Sequence, residues 1–250
     1  MIRGIPFHAP LYQGDMERGI EYRNCEGLAA FFTIKGDISG LLPEGLKPYS
    51  DPPQGGIWFA HYSFSTLGEY YEFLSVIQVE DPEGEMGYYI PFIYVTNDAA
   101  LAAGRELAGA PKKLAKIEIT KEYELVQAIL ERPTGKRLVT FTMMPTTRVA
   151  GGIIDAILPK PTPLLSVRHL PPIKGKGGVT QLIKWYADID FHTDPRGERV
   201  IFMGPASVTY DSPSVIDPVH RLEIDQILAA IYFQFDMKLG VTKILKEYKE

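Results

Sequence analysis

Punctuation constrains this chain more than any other feature. Through the first two thirds, runs rich in β-branched and aromatic residues are cut off by Pro or Gly before they reach helical length. That is the pattern of antiparallel strands joined by turns. The expected strands are Leu28 to Ile34, Gly56 to Ser65, Tyr70 to Val79, Met86 to Val95, Lys116 to Val126 and Leu138 to Met143, with a second group at Leu164 to His169, Val179 to Phe191 and Arg199 to Tyr210. Asp81-Pro82-Glu83-Gly84 has the chemistry of a hairpin turn. Gly175-Lys176-Gly177-Gly178 lacks the spacing of a dinucleotide fingerprint and reads as a hairpin loop. Pro161, Pro163, Pro171 and Pro172 mark an irregular connection between the two groups.

Two helices are expected. Asn97 or Asp98 can cap a short one through Ala99 to Leu107, because a side-chain oxygen there accepts the first free backbone N–H groups. A C-terminal helix from about Ile224 is suggested by Ile227, Leu228, Ile231 and Phe235 at helical spacing. The expected class is therefore α+β, a predominantly antiparallel sheet closed into a barrel or cone with a few flanking helices. No repeat, low-complexity tract or linker divides the chain, so residues 1–250 read as a single domain.

Composition excludes several function classes. With 250 residues, 45% of them hydrophobic, the chain can bury a core without a disulfide or metal staple. Lys and Arg number 26 against 31 Asp and Glu, a net charge of -5, so no general positive field favours a nucleic-acid partner. The single cysteine, Cys25, can form neither an intramolecular disulfide nor a cysteine-based zinc site, and a reducing, cytoplasmic setting is expected. Met1 to Asp15 lacks the apolar segment of a signal peptide, and apolar stretches such as Ile227 to Phe235 are too short to span a membrane.

Common catalytic signatures are missing: there is no HExxH, GxSxG, P-loop or CxxC. The five histidines, His8, His61, His169, His192 and His220, form no pair at ligand spacing, so no metal is expected. What stands out is Gly104-Arg105-Glu106-Leu107-Ala108-Gly109-Ala110-Pro111-Lys112-Lys113-Leu114. Pro111 cannot continue a helix and biases Ala110 toward an extended conformation, so Lys112-Lys113 opens a strand. Neighbouring strand side chains point to opposite faces, so one of the two lysines should face inward, where lysine is rare; the bland reading is two solvated loop lysines. Upstream, alternation places Glu72 with Leu74 and Val76, either at a wet strand end or buried for a purpose. A buried amine near a buried carboxylate is what imine chemistry on a keto acid needs.

At these residues the sequence resembles the acetoacetate decarboxylase family. Tyr94 to Asn97, Gly104-Arg105-Glu106-Leu107 and Pro111-Lys112-Lys113-Leu114 resemble its active-site segment, and Leu67-Gly68-Glu69-Tyr70-Tyr71-Glu72 the segment carrying its active-site glutamate. Weaker likeness covers Leu41-Leu42-Pro43-Glu44-Gly45-Leu46, Gly204-Pro205 and the C-terminal stretch, in the family's order. The resemblance implies Lys112 as the Schiff-base lysine, Lys113 as its cationic neighbour and Glu72 as the group that moves a proton or orients substrate. Activation of the lysine by desolvation or an adjacent cation is the family's known mechanism, taken over with the resemblance, which implies a reaction that requires no metal or organic cofactor. An ordinary lysine titrates at about 10.4, so nucleophilic attack at neutral pH calls for a depression of several units; about 4 units correspond to roughly 5 kcal/mol. Desolvation is expected to supply most of that, with Lys113 secondary.

Some positions depart from the family pattern. The strand before Glu72 commonly carries a second glutamate, whereas Gly56 to Ser65 offers only His61. The family's N-terminal arginine is matched loosely by Arg23, either a clamp on the substrate carboxylate or a solvated arginine. Ala110 stands where many members have an aromatic residue. Arg105 and Glu106 match the motif but serve equally as a structural charge pair. A wider or differently polar pocket is therefore expected, with Arg23 and His61 as candidate substrate contacts.

The leading expectation is a decarboxylase of acetoacetate or a related β-keto acid. An aldolase-dehydratase that uses the same imine on pyruvate or another keto acid is the enzymatic alternative, and a non-catalytic small-ligand barrel the third. A small keto acid is the expected partner, and the resemblance implies a homo-oligomer.

Overall fold

The computed structural model of the protein describes residues 11–12, 18–149, 151–175 and 177–248. Most of Met1 to Asp15, where a signal peptide was sought, lies outside them, as does Lys176. The strands are β1 (Ile20–Ile34), β2 (Lys47–Pro48), β3 (Gln54–Tyr62), β4 (Phe64–Ser65), β5 (Tyr70–Glu80), β6 (Met86–Val95), β7 (Lys112–Leu114), β8 (Lys116–Glu122), β9 (Leu125–Glu131), β10 (Arg137–Met143), β11 (Thr147–Arg148), β12 (Thr162–Leu170), β13 (Val179–Phe191), β14 (Ile201–Met203), β15 (Ala206–Tyr210) and β16 (Ile224–Tyr248). Two short helices, α1 (Asp98–Ala103) and α2 (Gly151–Ile157), complete the chain together with brief helical turns. No helix among the described residues is long and apolar enough to cross a membrane.

Seven strands make a ring. β16, β13, β12, β6, β5, β3 and β1 are successive neighbours, and β1 pairs back onto β16 from Ile20–Leu239 to Ile34–Ile224, so the large sheet curls onto itself. Every neighbouring pair in the ring is antiparallel except β12 and β6, which meet only at Leu164–Tyr88 and Leu165–Tyr89. Alternation then sorts side chains. Phe59 and Phe73 point outward, where β8, β9, β10 and β15 form a second sheet whose Ile117, Ala128, Leu130 and Phe141 join the same core. Trp58, Ala60, Tyr62, Tyr70 and Glu72 point inward. Each large apolar side chain buried in these layers contributes about 1.5–3 kcal/mol.

Three expectations need correction. The C-terminal segment is the 25-residue strand β16, not a helix. Ile231, Phe233, Phe235, Met237 and Leu239 alternate with Tyr232, Gln234, Asp236 and Lys238, and this period of two is the one the burial follows. Phe233 and Phe235 are wholly buried inside the ring, so core packing accounts for them. Lys116 to Val126 is two strands, because the chain reverses at Tyr123 in the left-handed region, φ 53°, with no Gly or Pro to mark the turn. Arg199 to Tyr210 likewise divides: β14 joins the ring sheet and β15 the second sheet. Between them a Cβ at Gly204 would fall 1.9 Å from the Met144 carbonyl oxygen, so only glycine lets the chain cross there.

Cys25 is 1% exposed, and burial pushes its thiol up to about 12. The native protein is therefore expected not to react with an aromatic disulfide reagent at pH 8 unless it unfolds. Because the folded-state pKa is raised above the ordinary thiol value, this thiol's contribution to stability is complete below about pH 9 and is lost as pH rises through about 12. Alkaline denaturation of wild type against Cys25→Ala checks the sign.

Candidate active site

The Lys112 segment enters the ring where two strands part. β6 leaves β12 after Tyr89, and over Ile93 to Val95 its free edge is taken by β7 in parallel register, Ile93 beside Lys112. The chain arrives through α1, whose N-cap Asn97 accepts from the Ala100 N–H at 3.0 Å, as the sequence indicated. α1 runs into a π-type turn at Gly104–Ala108, a distortion frequent at functional sites. Gly109 then ends it at φ 70°, where a Cβ would lie 2.4 Å from the Arg168 backbone nitrogen. Ser166 on β12 donates to the Ala108 carbonyl and accepts from Trp185 Nε1 at 3.0 Å, anchoring the segment to the far side of the gap.

Lys112 faces inward, 6% exposed, and its Nζ lies 2.8 Å from Glu72 Oε2. Glu72, 4% exposed, also accepts from the Tyr62 hydroxyl at 3.0 Å through Oε1. Both carboxylate oxygens are thus engaged, as a buried charge requires. Around the pair stand three tyrosines that the sequence reading did not single out. Tyr70 Oη donates to Tyr22 Oη at 3.1 Å, the Tyr62 ring packs between those of Tyr22 and Tyr70 at 4.7 and 4.8 Å, and the Lys112 amine sits 5.7 Å from the Tyr70 ring centre. Burial, reinforced by the charge of Glu72, holds the Tyr62 and Tyr70 hydroxyls well above the ordinary tyrosine range. They remain donors, not bases. Tyr62 and Tyr70 were in reach of alternation, since Tyr62 is diagonal to Glu72 across the β3–β5 register and Tyr70 is two residues before it.

Lys113 lies on the opposite face of β7. Its ammonium bonds the Ile216 carbonyl at 2.6 Å and Asp217 at 2.9 Å, and Asp217 also takes Arg132 and the Tyr94 hydroxyl. Its charge is matched there rather than held free beside the Lys112 amine. Arg105 donates to the Lys112 carbonyl at 3.4 Å and Glu106 accepts from Tyr12, so the two do not pair with each other. Arg23 is half-exposed and bound to Glu21 and Asp236, outside the cavity. His61 follows Ala60, the register partner of Glu72, and so points out of the ring; it stacks on Tyr71 at 4.2 Å and bonds Glu69 at 2.8 Å. The expected gathering of Arg23 and His61 around Lys112 does not occur, because residue type alone does not reveal which face a strand position takes.

Inside the ring is a partly open, mostly apolar cavity with Glu72 in its wall. All seven ring strands contribute, through residues that include Phe31, Trp58, Leu74, Leu164, Trp185 and Met237. Trp58, which packs on Phe233 at 4.7 Å, has an indole N–H without an acceptor among the described residues. A second buried lysine gives a contrast. Lys184, 1% exposed, is bound by Asp81 at 2.8 Å and by Glu85; burial alone would lower its pKa, but these bonds outweigh it and hold it above the ordinary lysine value. It stays an ammonium.

Comparison with known proteins identifies the family and the fold. The family model described as acetoacetate decarboxylase (ADC) matches residues 5–248. Acetoacetate decarboxylase 3 of Mesorhizobium japonicum is 30% identical over 225 residues, covering 88% of this chain and 82% of that protein. Among solved structures, an acetoacetate decarboxylase from Legionella pneumophila superposes with a TM-score of 0.82 at 23% identity, over 97% of this chain and 94% of that one. The enduracididine biosynthesis enzyme MppR, complexed with the condensation product of pyruvate and imidazole 4-carboxaldehyde, shares the fold with a TM-score of 0.74 at 17% identity, over 92% and 90%. On the match of the family model across the chain, this protein belongs to the acetoacetate decarboxylase family.

Proposed function

We propose that the protein is a Schiff-base decarboxylase of a β-keto acid, with Lys112 as nucleophile and Glu72 as its proton partner. The observation that carries this is the buried Lys112–Glu72 pair, 2.8 Å apart, with the carboxylate in the wall of an apolar cavity. Lys112 itself does not line that cavity, so attack begins with the pair opening as Glu72 takes a proton from the ammonium. The free amine adds to the ketone and, with one proton taken up from solvent, water leaves to form a protonated imine. The bond to the carboxylate carbon then breaks, its electron pair flows into the imine to give an enamine, and carbon dioxide departs. Glu72 returns its proton toward the enamine carbon, and water hydrolyses the imine to release ketone and regenerate the amine.

An apolar wall favours the carbon–carbon cleavage because charge is lost from the carboxylate as it proceeds. Lys113 acts at one remove: by bonding Asp217 it fixes the strand that carries Lys112. The reading is tested by following carbon dioxide and ketone release from acetoacetate and from longer β-keto acids. Enzyme-dependent release of both in equal amounts is expected. Condensation of pyruvate with an aldehyde, without decarboxylation of any β-keto acid, would instead favour the aldolase-dehydratase reading. A protein inert to both would favour a ligand-binding role.

A further inference from the structure

Resting on that reading, we infer that the acid turned over is larger than acetoacetate: a β-keto acid with an unbranched apolar tail, roughly eight carbons in all. The argument is one of length and lining. Acetoacetate has three carbon–carbon bonds and spans less than about 5 Å. The cavity, by contrast, runs along β5 from Glu72 past Leu74 to Val76, four residues and about 13 Å of strand. Beyond Val76 it continues to Tyr88, which sits in register with Leu164.

That far end offers little to a second polar group. The Tyr88 hydroxyl already donates to the Ile157 carbonyl, and Trp185 Nε1 to Ser166. Leu74, Val76, Leu158, Leu164 and Leu239 are among the apolar residues of the wall, Thr162 spends its hydroxyl on the Pro159 carbonyl at 2.7 Å, and among the described residues no lysine, arginine or histidine lines the cavity. A short acid would leave this apolar surface against water or void, whereas an alkyl tail would cover it. The free Trp58 N–H belongs to the head of the substrate instead. Trp58 is the register partner of Leu74 and thus diagonal to Glu72, within reach of an oxygen on the acid bound there.

The experiment measures kcat/KM for acetoacetate, 3-oxohexanoate and 3-oxooctanoate, with borohydride trapping on each. Covering a methylene in an apolar wall is worth about fourfold, so the four extra methylenes of 3-oxooctanoate should raise kcat/KM by roughly 200-fold over acetoacetate. Val76→Phe, which fills the far end, should cut the ratio of the 3-oxooctanoate to the acetoacetate value by about tenfold or more. A flat or falling series, with an imine trapped on Lys112 from every acid, overturns the chain-length inference and leaves the decarboxylase reading standing. No trapped imine from any of the three overturns both.

Discussion

Lys112→Met should abolish turnover and also weaken the fold, and the second effect separates the pair from its chemistry. Loss of the nucleophile is expected to lower kcat by roughly four to six orders of magnitude. It also leaves Glu72, 4% exposed, without its cation and held only by Tyr62. Breaking a buried pair on one side costs about 3–5 kcal/mol, because the remaining charge is uncompensated. Glu72→Gln combined with Lys112→Met removes that charge, so the double variant should recover most of the lost stability while remaining inactive. Chemical denaturation of the two variants beside wild type measures this. A single variant as stable as wild type would mean that Glu72 finds another partner or sits in water.

Gly104→Ala has the opposite signature, intact stability with damaged catalysis. Gly104 is helical, φ −62° and ψ −44°, where alanine ordinarily stabilises by about 0.4–1 kcal/mol. A Cβ there would stand 2.5 Å from Lys112 Cδ and 2.6 Å from Cε. The flexible lysine stem can shift aside at small energetic cost with its amine still bonded to Glu72, but the amine is then displaced relative to the cavity. Displacement of a catalytic group by about 1 Å can cost about 10²-fold in rate, so kcat should fall by that order while the melting temperature holds or rises slightly. Unchanged kcat would show that the amine does not need its observed position.

Strand positions whose partners lie next to them in sequence were legible from sequence; those decided by distant pairing were not. The Asp81 turn, the Asn97 cap and the inward facing of one of Lys112 and Lys113 follow from local rules of turn chemistry and alternation, while the choice of Lys112 came from the family resemblance. The C-terminal strand was misread because Ile227, Leu228, Ile231 and Phe235 satisfy a helical period while the neighbouring Phe233 and Met237 satisfy a period of two. Pairing of β16 with both β1 and β13 settles the choice. α2 was missed for a related reason, its Gly-Gly start and seven-residue length giving too few periodic positions.

The site divides in the same way. Lys112 and Glu72 lie 40 residues apart, yet alternation narrowed each to a short choice and the family motif picked both out. Arg23 and His61 were selected by charge and by approximate position, and neither criterion carries information about facing. Tyr22, Tyr62 and Tyr70 passed unremarked because a tyrosine in a strand is ordinary. Only the ring, which sets β1, β3 and β5 side by side, turns three such residues into the wall of one site.

The central claim is that Lys112 forms an imine on which carbon dioxide is lost. Treating the protein with acetoacetate and borohydride, then mapping the modified peptide by mass, tests it directly. The account predicts an isopropyl group on Lys112, the reduced imine of the ketone product, with Lys113 and Lys184 unmodified. Absence of any adduct, or an adduct on Lys184 in place of Lys112, would contradict it.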